Sequence, residues 1–281
     1  MFSVGLGPGA PARAVLEEGV KAMLLKDEVA VVTGGGMGIG YAIAVGLARE
    51  GAHVAIFDVN SEAGRKAASD IERSGRKAFF CQVDVSDPVG VDTGVKEVLE
   101  VFGRIDILIN NAGITHPSVS ILDLDPEWLE KVTNVDFKGV YLCARRVGRE
   151  MVERRKGVVI NIASVAGLTS LPLPVYGPIK SAVIMLTQIL ARDWAPHGVR
   201  VNAIAPGYVL TPLLEGLFQK GLRDRDTILR SVPMRRFIMP EDIANAAIFL
   251  CSEKAACITG VTLPVDAGFL CAGGWRAYGY E

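Results

Sequence analysis

Histidine and cysteine are scarce in this chain, and neither is grouped. Three histidines (His53, His116, His197) and five cysteines (Cys81, Cys143, Cys251, Cys257, Cys271) are scattered through 281 residues. Without a CxxC pair or metal-ligand spacing there is no zinc framework and no disulfide scaffold, and the expectation is reduced thiols, no metal and a cytoplasmic compartment. A surplus of one charge is missing too, since 30 Lys+Arg stand against 31 Asp+Glu for a net charge of -1. No basic stripe is available to hold a phosphate backbone, so nucleic acid is not an expected partner. The longest uncharged stretch, Gly157 to Ile179, holds Asn161, Ser164, Thr169, Ser170 and three prolines, groups that hydrocarbon would leave unsatisfied. It reads as strand and loop, with no membrane as partner. The N-terminus shows no export signal, because Gly5, Gly7, Pro8, Gly9 and Pro11 interrupt any apolar run.

What is present is enough apolar material for a large core, with 50% hydrophobic and 22% charged residues. Residues 1–22 differ from the rest: a Gly/Pro-rich start leads into a possible short helix from Ala12 to Leu25, with Met23 directly before the first strong strand. They are either an extension packed on the surface or an addition upstream of an ancestral start at Met23. From there, residues 23–281 read as one domain.

Apolar, β-branched runs alternate with amphipathic segments. Strands are expected at Val29–Thr33, His53–Asp58, Lys77–Val83, Ile105–Asn110, Gly157–Ser164, Arg200–Ala205 and near Val261–Asp266. Between them, helices are expected at Gly38–Glu50, Ser61–Ser74, Pro88–Phe102, Pro126–Val152 and Tyr176–Trp194. Strands that are continuously apolar are buried on both faces, which predicts an α/β fold: a doubly wound, parallel, seven-stranded Rossmann sheet with helices on each side. The pattern loosens over residues 208–232, after a strand's carboxyl end, where a lid over a ligand is expected.

The segment Thr33-Gly34-Gly35-Gly36-Met37-Gly38-Ile39-Gly40 follows a buried strand and opens a helix. Missing β-carbons let backbone approach a pyrophosphate, and the helix N-terminus offers free N–H groups. Gly34, Gly36, Met37, Gly38, Ile39 and Gly40 are therefore cofactor-binding candidates. Asp58, closing the next strand, can accept hydrogen bonds from an adenosine ribose and would repel a 2′-phosphate, which favours NAD over NADP. Arg65 and Lys66, just beyond it, argue the other way.

Together with that turn, Asn110-Asn111-Ala112-Gly113, Asn134, Ser164, Tyr176-x3-Lys180 and Pro206-Gly207 resemble, in order and spacing, the short-chain dehydrogenase/reductase family, over roughly Leu24 to Phe269. The resemblance implies a nicotinamide-dependent alcohol dehydrogenase or carbonyl reductase, a homotetramer as in much of the family, whose partner is a small secondary alcohol or ketone. Free tyrosine, with a pKa of about 10, is a poor base at neutral pH. On a helix, Lys180 shares a face with Tyr176, and its ammonium stabilises the phenolate. Ser164 can hydrogen-bond the substrate oxygen, and the resemblance assigns Asn134 to a water-linked proton relay through Lys180. One departure is Gly177-Pro178-Ile179, where the family commonly has small residues before the lysine. It leaves open a non-catalytic NAD-binding scaffold; an NADPH-linked ketoacyl or sugar reductase is the nearer alternative.

By the same resemblance Asp84 and Val85 contact the adenine, and Asn111, Ala112 and Gly113 lie beside the adenosine ribose. Pro206, Gly207, Val209 and Thr211 clasp the nicotinamide. Substrate-pocket candidates follow Gly113 and Ser164 or sit in the lid: Thr115, His116, Val165, Ala166, Leu171, Leu173, Tyr208, Leu213, Leu214, Leu217 and Phe218. Most are apolar, which suits a substrate with a hydrophobic body. His116 is read as a polar anchor or a surface loop residue. The aromatic tail Gly273–Tyr280 suits a subunit interface.

Overall fold

A computed structural model of the chain describes residues 23–273, so the readings of residues 1–22 and of the aromatic tail beyond Gly273 lie outside the described residues. Seven parallel strands form one sheet: β1 (Val29–Thr33), β2 (His53–Asp58), β3 (Ala78–Gln82), β4 (Ile107–Asn110), β5 (Gly157–Ile162), β6 (Val199–Pro206) and β7 (Thr262–Val265), in the order β3-β2-β1-β4-β5-β6-β7. All seven expected strands are present, two with the expected bounds and the others with ends displaced by at most two residues.

Alternate residues of the buried strands feed two cores. Ala30 and Val32 of β1, with Val54, Ile56, Ile107 and Ile109, pack under α1 (Gly38–Arg49), α2 (Ser61–Glu72) and, later in the chain, α9 (Pro240–Cys251). Val29 and Val31, with Ala55, Phe57 and Leu108, pack on the other face under α3 (Pro88–Phe102) and α5 (Val140–Arg154). The period-two side-chain direction of a strand produces both layers from one apolar run.

The helix expected over Pro126–Val152 is instead three segments: α4 (Glu127–Val132), a π-helical stretch Thr133–Gly139, and α5. Wide turns of this kind occur mostly at functional sites. Next comes α6 (Tyr176–Trp194), whose start coincides with the expected one. Residues 208–232 are not loose: α7 (Pro212–Gln219) and α8 (Arg225–Ser231) are capped by Thr211 and Asp224, and Val209 bridges to Ile238. Among the described residues no helix is long and apolar enough to cross a membrane.

Candidate active site

Strand β1 lies between β2 and β4, so the chain winds in opposite directions from it and a crevice opens at the strands' carboxyl ends. The glycine turn sits there. Gly34 and Gly38 adopt left-handed φ values of 61° and 56°, which side chains resist. A Cβ on Gly40 would collide with the Gly34 carbonyl, and one on Gly36 would meet Asp58 Oδ2 at 2.9 Å. Met37 makes no side-chain cap, leaving the first N–H groups of α1 open to an anion. These residues fit a nucleotide diphosphate.

Asn111 holds the turn from the far side of the crevice. Its Nδ2 donates to the carbonyls of Thr33 (2.9 Å) and Gly34 (3.1 Å), while Thr33 Oγ1 accepts from Asn111 N and Ala112 N at 2.9 and 3.0 Å. At the end of β2, Asp58 accepts from Gly36 N and Asn60 N, both at 2.9 Å, so its carboxylate is held at the lip of the cradle. The two nearby cations are engaged elsewhere: Arg65 stacks on Phe80, and Lys66 pairs with Asp70 at 3.2 Å.

Deeper in the crevice, the Lys180 ammonium lies 5.4 Å from the Tyr176 ring centre and donates to the Ile162 carbonyl at 3.1 Å. The Gly177-Pro178-Ile179 departure does not disturb this. Pro178 falls in the first turn of α6, where its missing N–H has no helical partner. Gly177 before it lacks the Cβ that would clash with the proline ring, and also lets the Ala166 carbonyl approach, at 3.0 Å from where a Cβ would sit. Ser164 follows β5 in extended conformation and accepts from Ala166 N at 3.1 Å. Its turn is tied to α6 by Ser181 Oγ, which donates to the Gly167 carbonyl at 2.8 Å.

Asn134 is not the residue at the ammonium. Asp136 is: Oδ2 lies 3.0 Å from Lys180 Nζ and Oδ1 accepts from Ile114 N at 2.8 Å, with the side chain wholly buried. Asn134 lies two residues earlier in the same π-helical stretch. Asp136 and Lys180 thus form a buried ion pair. Burial works against the Lys180 ammonium, but the charges of Tyr176 and Asp136 outweigh it and hold its pKa above the ordinary lysine value.

His116 is neither a free polar anchor nor a surface residue. It is buried, its Nδ1 donates to the Pro117 carbonyl at 2.7 Å, and its Nε2 accepts from Val175 N and Tyr176 N, both at 3.2 Å. That is the neutral Nδ1–H tautomer, inferred from the bonding pattern. It caps the helix that carries Tyr176.

A family model described as enoyl-(acyl carrier protein) reductase matches residues 21–270. The 3-oxoacyl-(acyl-carrier-protein) reductase FabG of Chlamydia muridarum is 38% identical over 247 residues, which are 87% of this chain and 98% of that protein. Among solved structures, one from Brucella melitensis 16M described as ribose-5-phosphate isomerase is 41% identical with a TM-score of 0.87, covering 92% of this chain and 98% of the other. An NAD⁺-bound xylitol dehydrogenase is 32% identical with a TM-score of 0.83, covering 87% and 99%. The chain belongs to the short-chain dehydrogenase/reductase family.

As a member of that family it is an oxidoreductase that takes a nicotinamide cofactor. The remaining family positions sort by what they touch. Thr211 leans over the start of α1, its Cγ2 being 3.6 Å from where a Gly38 Cβ would sit, so the segment after β6 and the glycine turn meet at the cradle. Gly207 N donates to the Val265 carbonyl at 3.0 Å, extending the sheet one residue past Pro206. Asp84 Oδ1 accepts from Ser86 N and Oγ at 2.8 and 2.7 Å, and Val85 is buried against Gly139.

The expected pocket wall is only partly a wall. Leu214 is packed with Ile228 and Val232, and Tyr208, Leu217 and Phe218 lean on them, so these four wall candidates join a small local core. Leu213 is 62% exposed. Val165 and Ala166 are buried in the turn after Ser164, while Thr115 and Leu171 are half-buried on loops bordering the site. Missed from sequence were Asp136, the capping role of His116, and a buried amide chain. In it Asn110 Nδ2 donates to Asn161 Oδ1 and Asn161 Nδ2 to Thr187 Oγ1, both at 2.9 Å.

Proposed function

We propose that this enzyme interconverts a ketone and a secondary alcohol, working chiefly as a reductase of a 3-oxoacyl group, with NAD(H) as its cofactor. The observation that carries the reaction is the first turn of α6, where Tyr176 and Lys180 share a face and the Ser164 turn is packed across it. The bound nicotinamide supplies or accepts the hydride. In reduction, Tyr176 gives its hydroxyl proton to the carbonyl oxygen as hydride reaches the carbonyl carbon; in oxidation the phenolate takes that proton back. Ser164 donates a hydrogen bond to the same oxygen, and Lys180 steadies the phenolate.

The 3-oxoacyl assignment is supported by the Chlamydia relative. Polyol oxidation is the second reading, favoured by likeness to the xylitol dehydrogenase. Asp58 at the lip of the cradle supports NAD(H), because a 2′-phosphate there would face a carboxylate. The reading includes a small-molecule partner and, from the family resemblance, a homotetramer in the cytoplasm, which light scattering tests for assembly.

The test is absorbance of the reduced nicotinamide with 3-oxoacyl thioesters plus NADH or NADPH, and with polyols plus NAD⁺ or NADP⁺. Consumption of NADH with a thioester is the expected result, and Asp58→Ala should narrow the preference over NADPH by about tenfold, roughly 1.4 kcal/mol. Turnover of polyols alone moves the assignment to the second reading. Isomerisation of a sugar phosphate with no change in nicotinamide absorbance overturns both.

A further inference from the structure

The site holds one charged group that the reaction just described does not require. A lysine that stabilises a phenolate does so with its full positive charge, yet Lys180 is in contact with a wholly buried carboxylate at 3.0 Å. Buried charges are costly unless they are paired, and within a low-dielectric site their fields reach neighbouring groups with little screening. We propose that Asp136 is a positioning residue whose carboxylate cancels part of the Lys180 charge, so that Tyr176 keeps its proton at neutral pH and the site favours ketone reduction over alcohol oxidation. This rests on the proposed role of Tyr176 and adds its direction.

Three features carry the inference. The π-helical stretch Thr133–Gly139 brings Asp136 into the crevice, a local rearrangement that a plain α-helix through this region would not make. The carboxylate is held in place by Ile114 N at 2.8 Å, so it is oriented independently of the lysine. Gly113 leaves the space: a Cβ there would stand 2.8 Å from Asp136 Oδ2 and 3.5 Å from Lys180 Nζ. The titratable groups linked to Tyr176 are Lys180 on its own helix, Asp136 of the π-helical stretch through its ion pair with Lys180, and His116 from the loop after β4, which accepts the Tyr176 backbone N–H. The sign follows from charge. A lone ammonium beside a phenol lowers its pKa, and an anion behind that ammonium raises it again.

The experiment titrates the near-ultraviolet phenolate absorbance of the NAD⁺-bound protein in wild type, D136N and D136S, subtracting the Tyr176→Phe trace to isolate Tyr176. Asparagine and serine each keep an acceptor for Ile114 N and remove the charge. The expected result is a Tyr176 titration about one pH unit lower in the variants, with the acid limb of any alcohol oxidation moving down equally, a gain of about tenfold below the wild-type midpoint. A Tyr176 titration unchanged within about 0.3 unit, or raised, overturns the proposal. So does loss of the folded state in both variants, which would make Asp136 purely structural. Because the phenolate signal needs no substrate, a lowered titration with no turnover of any substrate upholds the role of Asp136 while removing the assigned reaction.

Discussion

Two buried aspartates stand at opposite ends of the same sheet, and their surroundings differ. Asp106, just before β4 at the amino ends of the strands, is 2% exposed and saturated: Arg104 and Arg154 each bond it at 2.8 Å and Val29 N donates at 2.9 Å. Burial would raise its pKa, but the Arg154, Val29 and Glu28 hydrogen bonds outweigh that and leave it below the ordinary carboxylate value. Asp136, at the carboxyl ends, has one lysine and one backbone N–H, with an oxygen left partly unmet. A satisfied buried charge holds structure, whereas an under-satisfied one leaves its field to act on its neighbours, the role proposed for Asp136.

The sharpest break in this comparison comes from the reactive end. Tyr176→Phe removes the proton carrier and should cut turnover by about 10³-fold or more, with NAD⁺ affinity changed less than about threefold and melting unaltered. Retained turnover would move the reaction away from α6.

At the structural end the pattern should invert. Asp106→Asn leaves two arginines short of a partner and should cost about 2 kcal/mol, near 4–8 °C in melting temperature, without moving the pH profile of turnover. The sign with pH follows from a lowered folded-state pKa. The wild-type advantage should be full above the unfolded value of about 3.9 and shrink as pH falls through the folded one. Denaturant titrations of both proteins between about pH 6 and 3 would show it. A gap that grows towards acid would contradict the ion-pair account.

The smallest effect lies between the two ends. His116→Phe keeps the ring and removes the acceptor for Val175 and Tyr176 N–H, which should cost about 1 kcal/mol and lower kcat by about tenfold with cofactor Kd unchanged. An unaltered kcat would reduce His116 to packing.

The amino-acid order by itself determined the sheet, the glycine turn and the Tyr176–Lys180 pair. Each is local: a run of apolar residues buries on both faces wherever it falls, missing β-carbons act where they stand, and residues four apart on a helix share a face. Only the tertiary structure decided which of Asn134 and Asp136 meets Lys180. A π turn changes the residues per turn without leaving a signature in residue types, and the partner lies on a helix more than forty residues away. The capping by His116 and the mutual packing of the leucines after β6 were hidden for the same reason. An imidazole caps a helix, and leucines pack against one another instead of a substrate, only after distant segments have been brought into contact.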